Sequence, residues 1–212
     1  MSLFDLLLIL LVLGTAVGVV VSVAALFVRR WKFACWLVVS LVAAWIVYLG
    51  AGTVVAVLTP QRTIPIGEDR CFDEMCFAVT GFRRTQAIET ARGVTKPQGS
   101  FLIVDVRISN RSLGRAQREN GRKGVLIDQA GQIYEESQLG MQALAGVDGQ
   151  LPGLDARVGP GESLATKLVF DVPAGAIHPA FVLSSDLAIN PSRIVIADEG
   201  HFLHKPTIVP LD

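Results

Sequence analysis

Histidine and cysteine are scarce in this chain, with three of each in 212 residues. Aromatic residues make up 7%, charged residues 18%, and the 19 Lys and Arg balance the 19 Asp and Glu. Each shortage excludes something. Without a basic excess there is no electrostatic footprint for nucleic acid, so no nucleic-acid partner is expected. So few histidines give no nucleophile–histidine–acid order, and no glycine-rich phosphate loop is present. Charge is nearly missing from residues 1–58, where only Asp5, Arg29, Arg30 and Lys32 carry it. Past Leu58 it is long hydrophobic runs that are missing: no segment there is apolar enough to span a bilayer.

What is present before residue 59 is a pair of apolar runs, residues 3–28 and 33–58, joined by Arg29-Arg-Trp-Lys32. As helices each is about 39 Å long, enough to cross a hydrocarbon core of about 30 Å with some tilt. A secretory signal peptide is the rival reading of the first run. It lacks a basic leading segment, and its apolar stretch is too long. The basic linker against nearly uncharged flanks places residues 29–32 in the cytoplasm by the positive-inside rule. Both termini and the C-terminal domain then lie outside the cell (inner) membrane. Trp31, Trp36 and Tyr48 are candidate interfacial anchors, while Trp45, mid-span, is expected to pack against the partner helix. Gly14, Gly18 and Ser22 recur every four residues and offer a face for close helix packing, within the hairpin or between copies. Gly50 and Gly52 close the second run.

The other charges fall after residue 58, in a segment long enough for one core of its own. There the period changes to two. Leu102, Val104, Val106 and Ile108 alternate with Asp105, Arg107 and Ser109, and Leu164, Thr166, Leu168, Phe170 and Val172 repeat the pattern. Shorter strands are expected at 76–82, 124–128, 132–135, 180–185 and 193–197, with an edge strand at 206–210. Asp128-Gln-Ala-Gly131, Gly159-Pro-Gly161 and Pro173-Ala-Gly175 supply turns. Residues 138–155 show no clear period and read as a loop or a helical turn. The expectation is a two-helix transmembrane hairpin (1–58), a linker (59–66) and an all-β antiparallel sandwich (67–212).

A series of short motifs sharpens this: Gly67, then Cys71-Phe-Asp-Glu-Met-Cys76-Phe-Ala-Val-Thr-Gly81, then 101–110, then Leu126-Ile-Asp-Gln-Ala-Gly131-Gln-Ile-Tyr134, then Gly159-Pro-Gly-Glu162 and 168–173. In this order they resemble a bacterial family of extracytoplasmic immunoglobulin-like domains of unknown function. That family is related in fold to a mycobacterial secreted immunoprotective antigen. The resemblance covers roughly residues 66–186. It implies an immunoglobulin-like sandwich on the outer side of the membrane and implies no activity.

Cys71 and Cys76 lie outside the membrane in this topology, where disulfides persist. A structural bridge requires a turn at 72–75, since a straight strand would hold the two Cα atoms about 16 Å apart. A redox-active or metal-binding pair is the alternative. Cys35 reads as a small apolar residue of the second run. His201 and His204, beside Asp198 and Glu199, have metal-ligand spacing but no helix to aim them, and a polar turn is expected. His178 reads as a surface residue. No metal or other cofactor is implied.

Residues 110–124 carry Arg111, Arg115, Arg118, Arg122 and Lys123 with Glu119 as their sole acid. This reads as a loop: either a solvated connection or a cationic patch for lipid headgroups, an anionic envelope component or an acidic partner. With no catalytic constellation in sight, the chain is expected to be a non-enzymatic, membrane-anchored envelope protein whose sandwich binds a partner. One alternative is an accessory or sensory subunit acting on another membrane protein through its hairpin. Another is a thiol–disulfide factor using Cys71 and Cys76.

Overall fold

The computed structural model describes residues 3–91, 93–185 and 205–212. They divide into two units. The first holds two long helices, α1 (Leu3–Phe27) and α2 (Trp31–Leu58). Both are long and apolar enough to cross a membrane. Arg29, with φ 56°, breaks the helical run between them.

The seam between the helices has a period of 3.5. From α1 it takes Leu8, Leu11, Thr15, Gly18, Ser22 and Ala25. From α2 it takes Ala34, Leu37, Leu41, Trp45, Tyr48 and Gly52. Steps of three and four residues keep one stripe of each helix facing the other. A strict four-residue step drifts off that stripe, which corrects the expected packing face. Gly18 and Ser22 are on the seam, and a Cβ on Gly18 would come within 2.7 Å of the Leu41 Cδ1. Gly14 is off it, with open space where a Cβ would stand; Thr15 takes the seam position instead. The Thr15 hydroxyl donates to the Leu11 carbonyl (2.7 Å) and accepts from the Trp45 indole N–H (3.0 Å), so the mid-run tryptophan does face the other helix. Tyr48 is buried and meets Trp45 edge to face. Trp31 and Trp36 are exposed.

The second unit comprises residues 62–185 and 206–212 of those described. It is built on two four-stranded antiparallel sheets. The first sheet runs β1 (Arg70–Phe72), β2 (Met75–Thr85), β5 (Ser100–Asn110) and β8 (Ser163–Val172) in spatial order. The second runs β10 (Val209–Pro210), β9 (Ala180–Ser185), β6 (Arg122–Ile127) and β7 (Ile133–Tyr134). A small ribbon pairs β3 (Ile88–Thr90) with β4 (Gly93–Thr95). Alternation on β5 and β8 turns Leu102, Val104, Val106, Ile108, Leu168, Phe170 and Val172 toward one face. There they meet Phe77, Leu126, Phe181 and Leu183. Phe170 and Phe181 touch edge to face across the layer, with ring centroids 6.3 Å apart.

Phe101, Ile103 and Val169 break the expected alternation because the opposite face of the first sheet is also covered. A helix, α3 (Gln138–Asp148), lies there and buries Ala143 and Leu144 against those residues and Ile88. Ser137 caps it by accepting from the Gly140 N–H (3.2 Å). This helix occupies part of the stretch that showed no period in the sequence. Residues 62–66 belong to the sandwich unit: Ile64 is buried, its N–H donates to the Ile208 carbonyl (2.9 Å), and Thr63 bridges Ile208 in parallel. The strand expected at 193–197, and His201 and His204, lie outside the described residues.

Candidate contact surface

The cysteine pair and the arginine-rich segment are far apart in sequence yet meet at one place. β1 and β2 form a hairpin closed by Asp73 and Glu74, with Asp73 at φ 53°. Asp tolerates this left-handed conformation better than most residues. The register sets Cys71 directly opposite Cys76, with Cα atoms 3.9 Å apart and the sulfurs bonded. The turn expected at 72–75 is the one that forms. Cys71 is exposed and Cys76 buried. Cys35 carries a free thiol on an exposed part of α2.

β2 pairs with β5, so the end of β5 delivers Asn110 and Arg111 beside this hairpin. The Arg111 N–H donates to the Glu74 carbonyl (2.7 Å). Asn110 is buried and organises the loop that follows. Its side-chain amide donates to the carbonyls of Arg115 (2.9 Å) and Val158 (3.0 Å), and its side-chain oxygen accepts from the Ser112 N–H (2.9 Å). The Ser112 hydroxyl donates to the Arg115 carbonyl (2.6 Å). Gln117 and Val158 exchange backbone bonds of 2.9 and 2.8 Å, closing the base. The segment expected to run as a loop to residue 124 ends earlier: Arg122 and Lys123 are strand residues of β6.

The expected cations are not a free positive patch. Counting charge along 110–124 found only Glu119 as a counterion, but the fold brings acids from other loops. Asp69 accepts from both Arg107 (2.9 Å) and Arg111 (2.7 Å). Arg115 lies 3.5 Å from Glu74, which also accepts from Gln117. Arg118 reaches Asp155 at 2.5 Å. Arg122 pairs with Glu119 (3.2 Å), and its guanidinium stacks 3.6 Å above the Phe72 ring. The Asp69 carboxyl is held below its ordinary 3.8, first by the hydrogen bond from Arg107; partial burial opposes this, and Arg111 adds to it. Arg111, Arg115 and Arg118 still keep 60%, 77% and 53% of their side chains exposed. Surface pairs of this kind are worth little. Asp69, Glu74, Asp155 and Phe72 are the members that sequence reasoning missed. The only hint was that Asp69 precedes Cys71 closely and Glu74 lies between the two cysteines.

Elsewhere, Asp128 shapes the expected β6–β7 turn by accepting from the Gln132 N–H (2.9 Å) and the Tyr134 hydroxyl (2.8 Å). Those bonds, Gln132 first, hold its carboxyl below the ordinary value, and Asp128 pushes the Tyr134 phenol up. His178 is exposed and faces Asp212 at 2.9 Å. Among the described residues no three His, Cys, Asp or Glu side chains converge as a metal site would require.

No protein-family model and no curated protein matches the chain. Several solved structures are similar. A conserved hypothetical protein from Bacillus anthracis is 12% identical, with a TM-score of 0.46 over 59% of this chain and 91% of that one. An uncharacterised β-sandwich protein from Clostridium difficile 630 is 9% identical, with a TM-score of 0.44 over 73% and 96%. The secreted protein MPT63 from Mycobacterium tuberculosis is 13% identical, with a TM-score of 0.39 over 61% and 93%. These neighbours are bacterial proteins, one described as an uncharacterised β-sandwich protein and one as secreted. The sandwich assignment itself stands on the strand pairing above, not on these likenesses.

Proposed function

We propose that the chain is a membrane-anchored envelope protein. In this reading α1 and α2 cross the cell membrane as a hairpin with Arg29, Arg30 and Lys32 inside. The sandwich works outside as a binding module without catalysis. One observation carries the choice of surface. A disulfide-closed hairpin and an arginine-bearing loop, held together through Asn110, Asp69 and Glu74, form one shaped edge of the sandwich. The disulfide suits an oxidising compartment. The exposed faces of Arg111, Arg115 and Arg118 can trade their weak acid partners for a phosphate or another anionic group of the envelope.

The test uses the full chain in detergent, with its retention on anionic lipid or envelope polymer measured at low and high salt. Replacing Arg111, Arg115 and Arg118 with Ser should weaken retention severalfold at low salt and leave thermal unfolding nearly unchanged. Retention unaffected by that replacement would reduce the segment to a solvated connection. A turnover abolished by one side-chain change would defeat the non-enzymatic reading.

A further inference from the structure

The loop pinned by Asn110 carries at its tip a side chain that its arginines do not explain. Leu113 is 100% exposed, flanked by Ser112 and Gly114. Single exposed leucines are ordinary, but this one stands on a built base. Asn110 and Ser112, 2% and 3% exposed, supply the hydrogen bonds that close the loop beneath it. Two buried polar residues thus hold one apolar side chain away from the core, with Arg111 and Arg115 on either side.

We propose that Leu113 is an anchor that inserts into the headgroup layer of the bilayer, with Arg111 and Arg115 at the level of the lipid phosphates. This deepens the reading above and rests on it. Burying one leucine improves partitioning only roughly ten- to a hundredfold, too little to hold a freely diffusing domain. A tethered domain needs no more. Only residues 59–61 separate α2 from the sandwich unit, a reach of at most about 14 Å. A short tether keeps the local concentration of the bilayer surface high, so a weak contact is largely occupied. The pinned loop adds to this because little conformational freedom is lost on insertion. Arg on either side of an apolar tip also suits the interface, where the stem lies in apolar surroundings and the guanidinium reaches phosphate. Because the arginines already have acid partners, the leucine supplies a share of the contact that salt does not screen.

The experiment places a nitroxide on the full chain in a Cys35→Ala background, either through Leu113→Cys or, as a control on the exposed β6–β7 turn, through Ala130→Cys. Each labelled chain is reconstituted into vesicles of phosphatidylcholine and phosphatidylglycerol. The label at position 113 should collide severalfold less often with a water-soluble nickel chelate, and more often with oxygen, than the label at position 130. The difference should persist at high salt. Equal nickel accessibility at the two positions, in a chain that resists alkaline extraction, overturns the docking and leaves the anchoring standing. A chain that alkali strips from the vesicles overturns the anchoring itself. Shielding of position 113 in native membranes but not in protein-free vesicles overturns the lipid assignment in favour of a protein partner.

Discussion

The two units spend the same residue types in opposite ways. In the sandwich, Leu, Val and Phe turn inward: Leu102, Val104 and Phe170 are wholly buried. On the helices, Leu13, Val17, Val20, Ile46 and Val47 point outward and are more than half exposed, while the seam mixes the small or polar Thr15, Gly18, Ser22 and Ala25 with Leu11, Leu37, Leu41, Trp45 and Tyr48. A sandwich shaped by water puts its large apolar groups in the middle. A helix pair that leaves large apolar groups on its outer faces is what two helices long and apolar enough to cross a membrane would show. The two units therefore differ in where they place their large apolar residues, and the predictions below probe that difference.

The largest contrast is between a core and a helix-surface truncation. Phe170→Ala removes a ring buried against Phe181 and should cost about 3–5 kcal/mol. Val20→Ala, on the outer face of α1, should leave the sandwich's unfolding unchanged. Thermal and denaturant unfolding of the full chain in detergent, followed by near-ultraviolet circular dichroism, reads both. A destabilisation from Val20→Ala equal to that from Phe170→Ala would mean that the two units do not differ as described.

Next in size is the covalent staple, which has no counterpart among the described residues of the helices. Replacing Cys71 and Cys76 together with Ser should lower sandwich stability by about 2 kcal/mol, the entropy of closing so short a loop. Faster hydrogen exchange at the Arg111 amide, which donates to the hairpin carbonyl of Glu74, should accompany it. Unchanged exchange there would separate the staple from the loop it is argued to shape.

A smaller effect follows from Asp69. Its carboxyl is depressed in the folded state by Arg107 and Arg111, so its contribution is complete above the ordinary value of 3.8 and is lost as pH falls through the lower folded value. Between about pH 5 and about pH 2 the wild type should lose more stability than Asp69→Asn does. Parallel acid titrations of the two chains would remove Asp69 from the account.

Much of this was legible beforehand because it is periodic. The two apolar runs and the alternation on β5 and β8 fix helices and strands by residue spacing alone. What was illegible depends on partners distant in sequence. Gly14 looked equivalent to Gly18 until the 3.5-residue seam chose Thr15. Phe101 and Ile103 stepped outside the alternation because α3, capped by Ser137 but short and glycine-bearing, covers the second face of their sheet. The segment 110–124 left a solvated loop and a cationic patch both open because its counterions Asp69, Glu74 and Asp155 belong to other loops. Asn110 appeared only as the end of a strand, although it determines the loop that follows.

The account depends most on the sandwich lying across the membrane from Arg29, Arg30 and Lys32. The direct measurement fuses a compartment-sensitive reporter after Asp212 of the full chain and, separately, at Arg30. The account predicts an extracytoplasmic signal from the fusion after Asp212 and a cytoplasmic one from the fusion at Arg30. A cytoplasmic signal after Asp212 would contradict it, taking with it the anchored binding module and the bilayer contact of Leu113.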